Sequence, residues 1–284
     1  MLGVSFCTHV FLKGFGRPPL RARAKEARPL FLSLPDGESK MSSCVFCVNS
    51  ETGLVRKDNQ DSVLVSEDGT VFCVADGMGG GSDGALASFI VCEEVRAAVN
   101  MGGNGKKALI DRAIAVADGR IRCHAKANGF RQMGSTVAIL MFDSADKMTA
   151  KIGHIGDSRI YRIRDRKAVP ITDDHTLCNQ LMSIADGKWA SKLRNRDNPL
   201  CHILTKAIGS GDNIEVDWKD VDVFPGDRYL LCSDGVHGVL DDENIAGIFE
   251  STCSVWEVGE RLRKKIIDVG APDNFSYIII EIGE

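Results

Sequence analysis

Residues 71–84 read VFCVADGMGGGSDG, and the change of character along this stretch decides the fold. The apolar run 71–75 suits a short strand buried on both faces. It stops at Asp76, where five glycines within residues 77–84 allow the backbone to bend and to approach its neighbours closely. An alanine-rich segment, 85–99, then repeats its apolar residues at helical spacing. A second such segment, 107–127, is set off by the turn-forming Gly102, Gly103, Asn104 and Gly105. A buried strand, a glycine bend and two successive long helices are the expected nucleus.

Working outward, residues 43–49 and 62–65 are extended in pattern. Beyond the helices, 135–142, 148–155, 159–164 and 168–171 are short strand-like segments joined by polar turns, the pattern of an antiparallel meander within shared sheets. Residues 173–206 interrupt this rhythm with mixed-charge sequence and a short helix near 176–185. Strands at 215–223 and 228–232, helices at 242–250 and 255–269, and a closing strand at 275–282 complete the reading. Strands and helices come in blocks rather than in strict alternation. The predicted class is therefore α+β, a four-layer αββα sandwich of two antiparallel sheets flanked by helices.

At 284 residues the chain has room for one large domain or two, and 44% hydrophobic residues can fill a sizeable core. Its net charge of −4 supplies no cationic field for a phosphate backbone or an anionic bilayer, so neither nucleic acid nor membrane is expected as a partner. The charge is unevenly placed: residues 1–40 carry seven basic and three acidic side chains, leaving −8 on the remainder. We read 1–40 as a basic leader or disordered tail, or as sequence upstream of a start at Met41, and place the domain boundary there, with 41–284 as the folded body. No run of 18 apolar residues provides a membrane span. Ten cysteines without framework spacing fit a reducing, cytoplasmic setting. The one close pair, Cys44 and Cys47, falls three apart on a predicted strand, where side chains face opposite ways, so it reads as structural rather than metal-binding.

Aspartates stand at the ends of apolar strand runs: Asp61 before SVLV, Asp76 after VFCVA, Asp234 after YLLCS and Asp273 before NFSYIIIEI. One such residue is ordinarily a turn former or helix cap. Four on separate strands can converge into an oxygen-rich set suited to Mg²⁺ or Mn²⁺. The glycines beside Asp76 would let a backbone carbonyl face a metal. A phosphate-cradling loop is the competing reading, but the Gly-Lys-Ser/Thr ending of a P-loop is missing. Asp157, in IGHIGDSRIYRI, taken alone reads as a hairpin-turn residue.

In order along the chain, VRKDNQD (55–61), VADGMGG (74–80), GSTVAIL (134–140), IGDSRIYRI (155–163), ITDDHTL (171–177), LTKAIG (204–209), GDRYLLCSDGV (226–236) and DNFSYIII (273–280) resemble the metal-dependent serine/threonine protein phosphatases of type 2C, especially their bacterial single-domain members. The resemblance runs from about residue 44 to the end of the chain. It implies an αββα sandwich with two Mn²⁺ or Mg²⁺ ions at one edge, which activate water for direct attack on phosphorus. Asp61, Asp76, Asp234 and Asp273 would be the carboxylate ligands. Asp76 would bridge the ions and position the attacking water, and Gly77 would add its carbonyl. Arg56 would grip the substrate phosphate, and Asp157 with Asp234 would hold a third, weaker ion, a role beyond the turn reading. No cysteine nucleophile is implied, and no Cys-x5-Arg phosphatase loop is present.

Two positions depart from the family pattern. Met78 stands where animal-type members carry a histidine proposed as the leaving-group acid. None of the six histidines (His9, His124, His154, His175, His202, His237) is singled out by sequence as its substitute. Gln60 replaces a common glutamate beside Asp61, removing one charge while keeping an amide able to orient a metal-bound water. Residues 178–204 occupy the place of the family's flap, and Lys188, Lys192, Arg194 and Arg196 within it read as a solvated basic face. The implied partners are phosphoproteins, a cognate serine/threonine kinase or its targets, with the chain a monomer. A non-catalytic pseudophosphatase acting as a binding module and a small-molecule phosphohydrolase on the same fold are the rivals. Presence of all four aspartates and the arginine favours catalysis over the first.

Overall fold

The computed structural model describes residues 44–79, 82–102, 105–130, 132–142, 149–184, 198–211, 214–249 and 253–283. The expected leader, the basic cluster 188–196, His9, Met148 and the glycines at 80 and 81 lie outside the described residues.

Two antiparallel sheets face each other. One has the order β1 (Cys44–Glu51), β11 (Phe275–Ile282), β10 (Arg228–Cys232), β7 (Arg159–Arg164) and β8 (Lys167–Pro170). The other has β2 (Asp61–Val65), β3 (Val71–Met78), β5 (Val137–Phe142), β6 (Thr149–Ile155) and β9 (Asp217–Asp222), with the two-residue β4 (Gly134–Ser135) paired to the end of β3. The helices are α1 (Ser82–Asn100), α2 (Lys106–Asn128), α3 (Leu177–Ile184), α4 (Asp234–His237), α5 (Asp242–Ile248) and α6 (Val255–Asp268), with a 3₁₀ turn at Pro199–His202.

Three apolar interfaces separate four layers, as the sequence reading expects. Because strand side chains alternate, β3 sends Val71, Cys73 and Ala75 toward α1 and α2, and Phe72 and Val74 toward the opposite sheet. Likewise β11 sends Phe275, Tyr277 and Ile279 toward α5 and α6, and Ile278 and Ile280 inward. Strands covered on both faces need apolar residues on both, which is why they read as continuous runs rather than as alternation. The same rule splits the close cysteine pair: Cys47 packs under α6 and Cys44 lies against the inter-sheet layer. Burial raises the Cys47 thiol to about 11, as expected of an inert structural cysteine. A capping box opens α6, where Ser254 Oγ accepts from the Glu257 N–H and the Glu257 carboxylate accepts from the Ser254 N–H.

The meander expectation fails at one point that matters. Strands β5 and β6 pair in one sheet, whereas β7 and β8 belong to the other. Residues 156–158 are therefore an inter-sheet crossover, not a hairpin turn. Gly156 makes it with φ +95°, and a Cβ there would lie 2.6 Å from Thr136 Cγ2. Asp157 consequently sits between the sheets rather than at an outer rim. Strand β3 also runs past its expected end at residue 75, because Gly77 and Met78 find partners in β4. Asp76 is thus held inside a ladder instead of on a loose bend.

Candidate metal centre

Strand register brings the first two carboxylates together. Asp61 opens β2 and Asp76 is its direct cross-strand partner on β3. Like charges in that position are destabilising unless something of opposite sign lies between them. Asp234 begins α4 after Ser233, the one residue that separates it from the end of β10, and Asp273 lies two residues before β11, the strand that pairs with β10. The crossover adds Asp157. Every expected carboxylate arrives at one end of the sandwich, Asp61 and Asp157 buried and Asp76, Asp234 and Asp273 partly open to solvent.

Their electrostatics agree. Burial, then Asp234 and Asp273, push the Asp61 carboxyl up to about 7, against the lowering effect of hydrogen bonds from Ser233 and Ser276. Burial, then Asp234 and Asp174, raise Asp157 to about 8. Burial, then the charges of Asp61, Asp234 and Asp157, hold Asp76 well above the ordinary carboxylate range. Burial and Asp273 raise Asp234, which hydrogen-bonds Asp76. Groups that repel one another this way take up protons or cations. One atom identifies which: Asp61 Oδ2 accepts from Ser233 Oγ at 2.7 Å, while its other oxygen, Oδ1, is buried without a hydrogen-bond partner. An orphaned carboxylate oxygen facing further carboxylates is a donor set for a hard divalent cation. The residues present fit such ions.

The backbone around the set is tightly held. A Cβ on Gly77 would fall 1.9 Å from the Gly84 carbonyl, and one on Gly84 would fall 2.4 Å from Gln60 Nε2, so the bend must be glycine at both positions. Gln60 accordingly lies against the start of α1. The Asp76 N–H donates to Thr136 Oγ1 at 2.9 Å, and its carbonyl accepts from the Thr136 N–H at 2.8 Å. Thr136 Oγ1 lies 2.6 Å from Ser158 Oγ, tying the Asp76 strand to the Asp157 crossover. His237 Nε2 donates to the Asp157 carbonyl at 2.9 Å. Arg56, more than half exposed, donates from one terminal nitrogen to Asp273 Oδ2 at 2.7 Å.

Sequence reasoning weighed the acids and overlooked their supports. Ser233, Ser276, Thr136, Ser158 and Asn274 all fall inside the motifs quoted above, several of them far along the chain from the aspartate they support. Arg159 is another: its guanidinium grips both oxygens of Asp174, at 2.9, 3.1 and 2.6 Å.

A second cluster deserves contrast. One ligand-type atom from each of His154, His175 and Asp217 lies within 4.8 Å of the others, beside a cavity of about 510 Å³. The two imidazoles stack at 4.5 Å. Hydrogen bonds settle its chemistry. Gly156 N–H donates to His175 Nδ1 at 3.0 Å, so Nε2 carries the proton and donates to Asp217 Oδ2 at 2.7 Å. Lys206 Nζ holds the other Asp217 oxygen at 2.6 Å. A metal on His175 Nε2 would require the proton to move onto Nδ1, against a backbone N–H. This cluster is a satisfied clamp, not a metal site.

The sequence pattern of the protein phosphatase 2C family matches residues 50–268. The chain belongs to that family. The matched span covers four of the five carboxylates; Asp273 lies beyond it, and the pairing of β10 with β11 brings it to the others. Among similar proteins, serine/threonine protein phosphatase PstP of Mycobacterium tuberculosis is 28% identical over 84% of this chain and 45% of its own length. The chain therefore spans about half of that relative. Protein phosphatase PhpP of Streptococcus pneumoniae is 29% identical over 83% of this chain and 96% of its own. A solved structure of the PstP catalytic domain in complex with two manganese ions superposes with a TM-score of 0.70, at 28% identity, covering 85% of this chain and 99% of that one. No described helix is long and apolar enough to cross a membrane.

Proposed function

We propose that this protein phosphatase 2C chain hydrolyses phosphoserine and phosphothreonine esters in proteins, with Asp61, Asp76, Asp234, Asp273 and the Gly77 carbonyl holding two Mn²⁺ or Mg²⁺ ions. Asp157 and Asp234 offer a third, weaker position. The unpartnered oxygen of Asp61 among converging carboxylates carries this reading. When bound, such an ion pair lowers the pKa of water and neutralises phosphate charge. The protein's own part is placement. Asp76 would hold the ions and so set the position of the attacking water; its main chain is fixed by Thr136 through both the N–H and the carbonyl. Hydrogen bonds from Ser233 and Ser276 favour the ionised form of Asp61, partly offsetting the burial and neighbouring charge that raise it. Arg56 supplies planar, two-pronged donors to the ester phosphate and stabilises charge that grows in the transition state. Met78 has no proton to give and does not serve as the leaving-group acid.

Residues 41–284 are assigned to one catalytic unit acting as a monomer in the cytoplasm, on phosphoproteins that include a serine/threonine kinase or its targets. The manganese-bound catalytic domain of PstP, and the likeness to the protein phosphatases PstP and PhpP, support metal-dependent phosphatase chemistry. Purified chain should turn over p-nitrophenyl phosphate with added Mn²⁺ and lose that activity on Asp234→Asn. Phosphopeptides and nucleotides assayed side by side test the substrate class: preference for nucleotides would replace this reading with a small-molecule phosphohydrolase.

A further inference from the structure

The loop 52–60 that carries Arg56 has little packing of its own. Leu54, Val55, Arg56, Lys57 and Asp58 are all exposed, so no core contact fixes the guanidinium over the aspartates. What closes the loop is Asn274. Its side chain is buried, and its Oδ1 accepts the Gln60 N–H at 2.9 Å. Its Nδ2 donates to the Thr52 and Asp58 carbonyls, each at 2.9 Å. One carboxamide thus joins main-chain groups at both ends of the loop. Its own N–H donates to Asp273 Oδ1 at 2.8 Å, on the same carboxylate that Arg56 touches. Other ties gather at the C-terminal end of the loop, where the Gln60 carbonyl accepts from the Gly77 N–H at 3.1 Å and from Ser88 Oγ at 2.6 Å. There too the Asn59 side chain donates to Ser50 Oγ and accepts from the Asp61 N–H. Nearer Arg56, the Leu54 N–H donates to the Ala271 carbonyl at 2.9 Å.

We propose that Asn274 is a positioning residue for catalysis: it sets the placement of Arg56 relative to the carboxylates, and so the alignment of the phosphate ester. The requirement is for a side chain with one acceptor and two donors in a plane. Aspartate lacks the donors, and serine or alanine cannot reach all three partners. Loss of the clamp leaves the aspartates in place but lets the guanidinium wander, and a displacement of about 1 Å can cost on the order of 10²-fold in rate. This inference rests on the assignment of Arg56 to the phosphate.

The test is a double-mutant cycle in kcat/KM for a phosphothreonine peptide at saturating Mn²⁺. Arg56→Ala is expected to lower kcat/KM about 100-fold and Asn274→Ala roughly 30-fold. The double variant should be no more than about twofold worse than Arg56→Ala alone, since a lost guanidinium no longer needs placing. The Mn²⁺ concentration for half-activation should stay within about threefold in Asn274→Ala, because the clamp acts on the arginine and not on the ions. If Asn274→Ala does not fold, Asn274→Ser is measured instead, with hydrogen exchange expected to accelerate at the Leu54 and Gln60 amides and not along β10 or β11. Multiplicative losses in the double variant, or a Mn²⁺ requirement that shifts as far as kcat/KM, would overturn the positioning role. An unchanged Arg56→Ala enzyme would instead remove Arg56 from the site, and this inference with it. A damaging Arg56→Ala beside a harmless Asn274→Ala would remove Asn274 alone.

Discussion

The aspartate set and the histidine clamp lie on either side of the same crossover, and they differ in one respect. At His154, His175 and Asp217, hydrogen bonds from backbone and lysine fix the tautomer and complete the carboxylate. At Asp61 one oxygen has no partner, and its neighbours are further carboxylates. Proximity of ligand-type atoms alone would mark the histidine cluster as a metal site, whereas hydrogen-bond accounting favours the aspartates. What marks a binding site is the interaction the protein leaves unmade.

Breaking the aspartate side should have the largest effect. Asp76→Asn is expected to lower kcat by at least about 10³-fold with Mn²⁺ present. The same change should raise the melting temperature of metal-free protein, since it removes a charge that Asp61, Asp234 and Asp157 oppose. Calorimetry in EDTA checks the second half; a drop in stability would mean the cluster is structural.

The two clusters should also respond to pH with opposite sign. Asp61 and Asp157, raised to about 7 and about 8, bind more protons in the folded than in the unfolded chain. They stabilise metal-free protein fully below the unfolded carboxylate value, and that stability is lost as pH rises through the folded values. His175 is shifted the other way, by burial and then by the charge of His154, and is kept neutral. Its contribution is present above the unfolded histidine value and is lost as pH falls. Melting curves in EDTA from pH 5 to 8 should show Asp61→Asn removing part of a decline toward high pH, and His175→Ala removing part of a decline toward low pH. Saturating Mn²⁺ should flatten only the first.

The smallest effect sharpens the contrast. His175→Ala removes partners from Gly156 and Asp217 and should cost about 1–3 kcal/mol, a few degrees in melting temperature. Activity at saturating Mn²⁺ should fall less than about tenfold, as the crossover loosens without losing a ligand. Added Zn²⁺ should not raise the melting temperature of Asp76→Asn protein; a clear rise abolished by His175→Ala would restore the clamp as a metal site.

Much of this was legible in sequence, for identifiable reasons. Strands sandwiched between layers carry apolar residues on both faces, so 71–75 and 275–282 announced themselves, and acids ending those runs were conspicuous. Which sheet a strand joins depends on long-range pairing. The sequence around Asp157 therefore looked like a hairpin until β6 and β7 fell into different sheets. The supporting hydroxyls and Asn274 were invisible for another reason: serine, threonine and asparagine beside an aspartate are ordinary turn residues, and only three-dimensional contacts distinguish a clamp from a turn. The short α4 was missed because four residues carry no period.

The most direct test of the account is a Mn²⁺ titration of chelator-stripped protein, followed by phosphate release from a phosphothreonine peptide. Turnover should be absent without metal, be restored saturably as Mn²⁺ is added, and not be restored in Asp61→Asn. Turnover that persists in EDTA, or activation that survives the loss of Asp61, would contradict it.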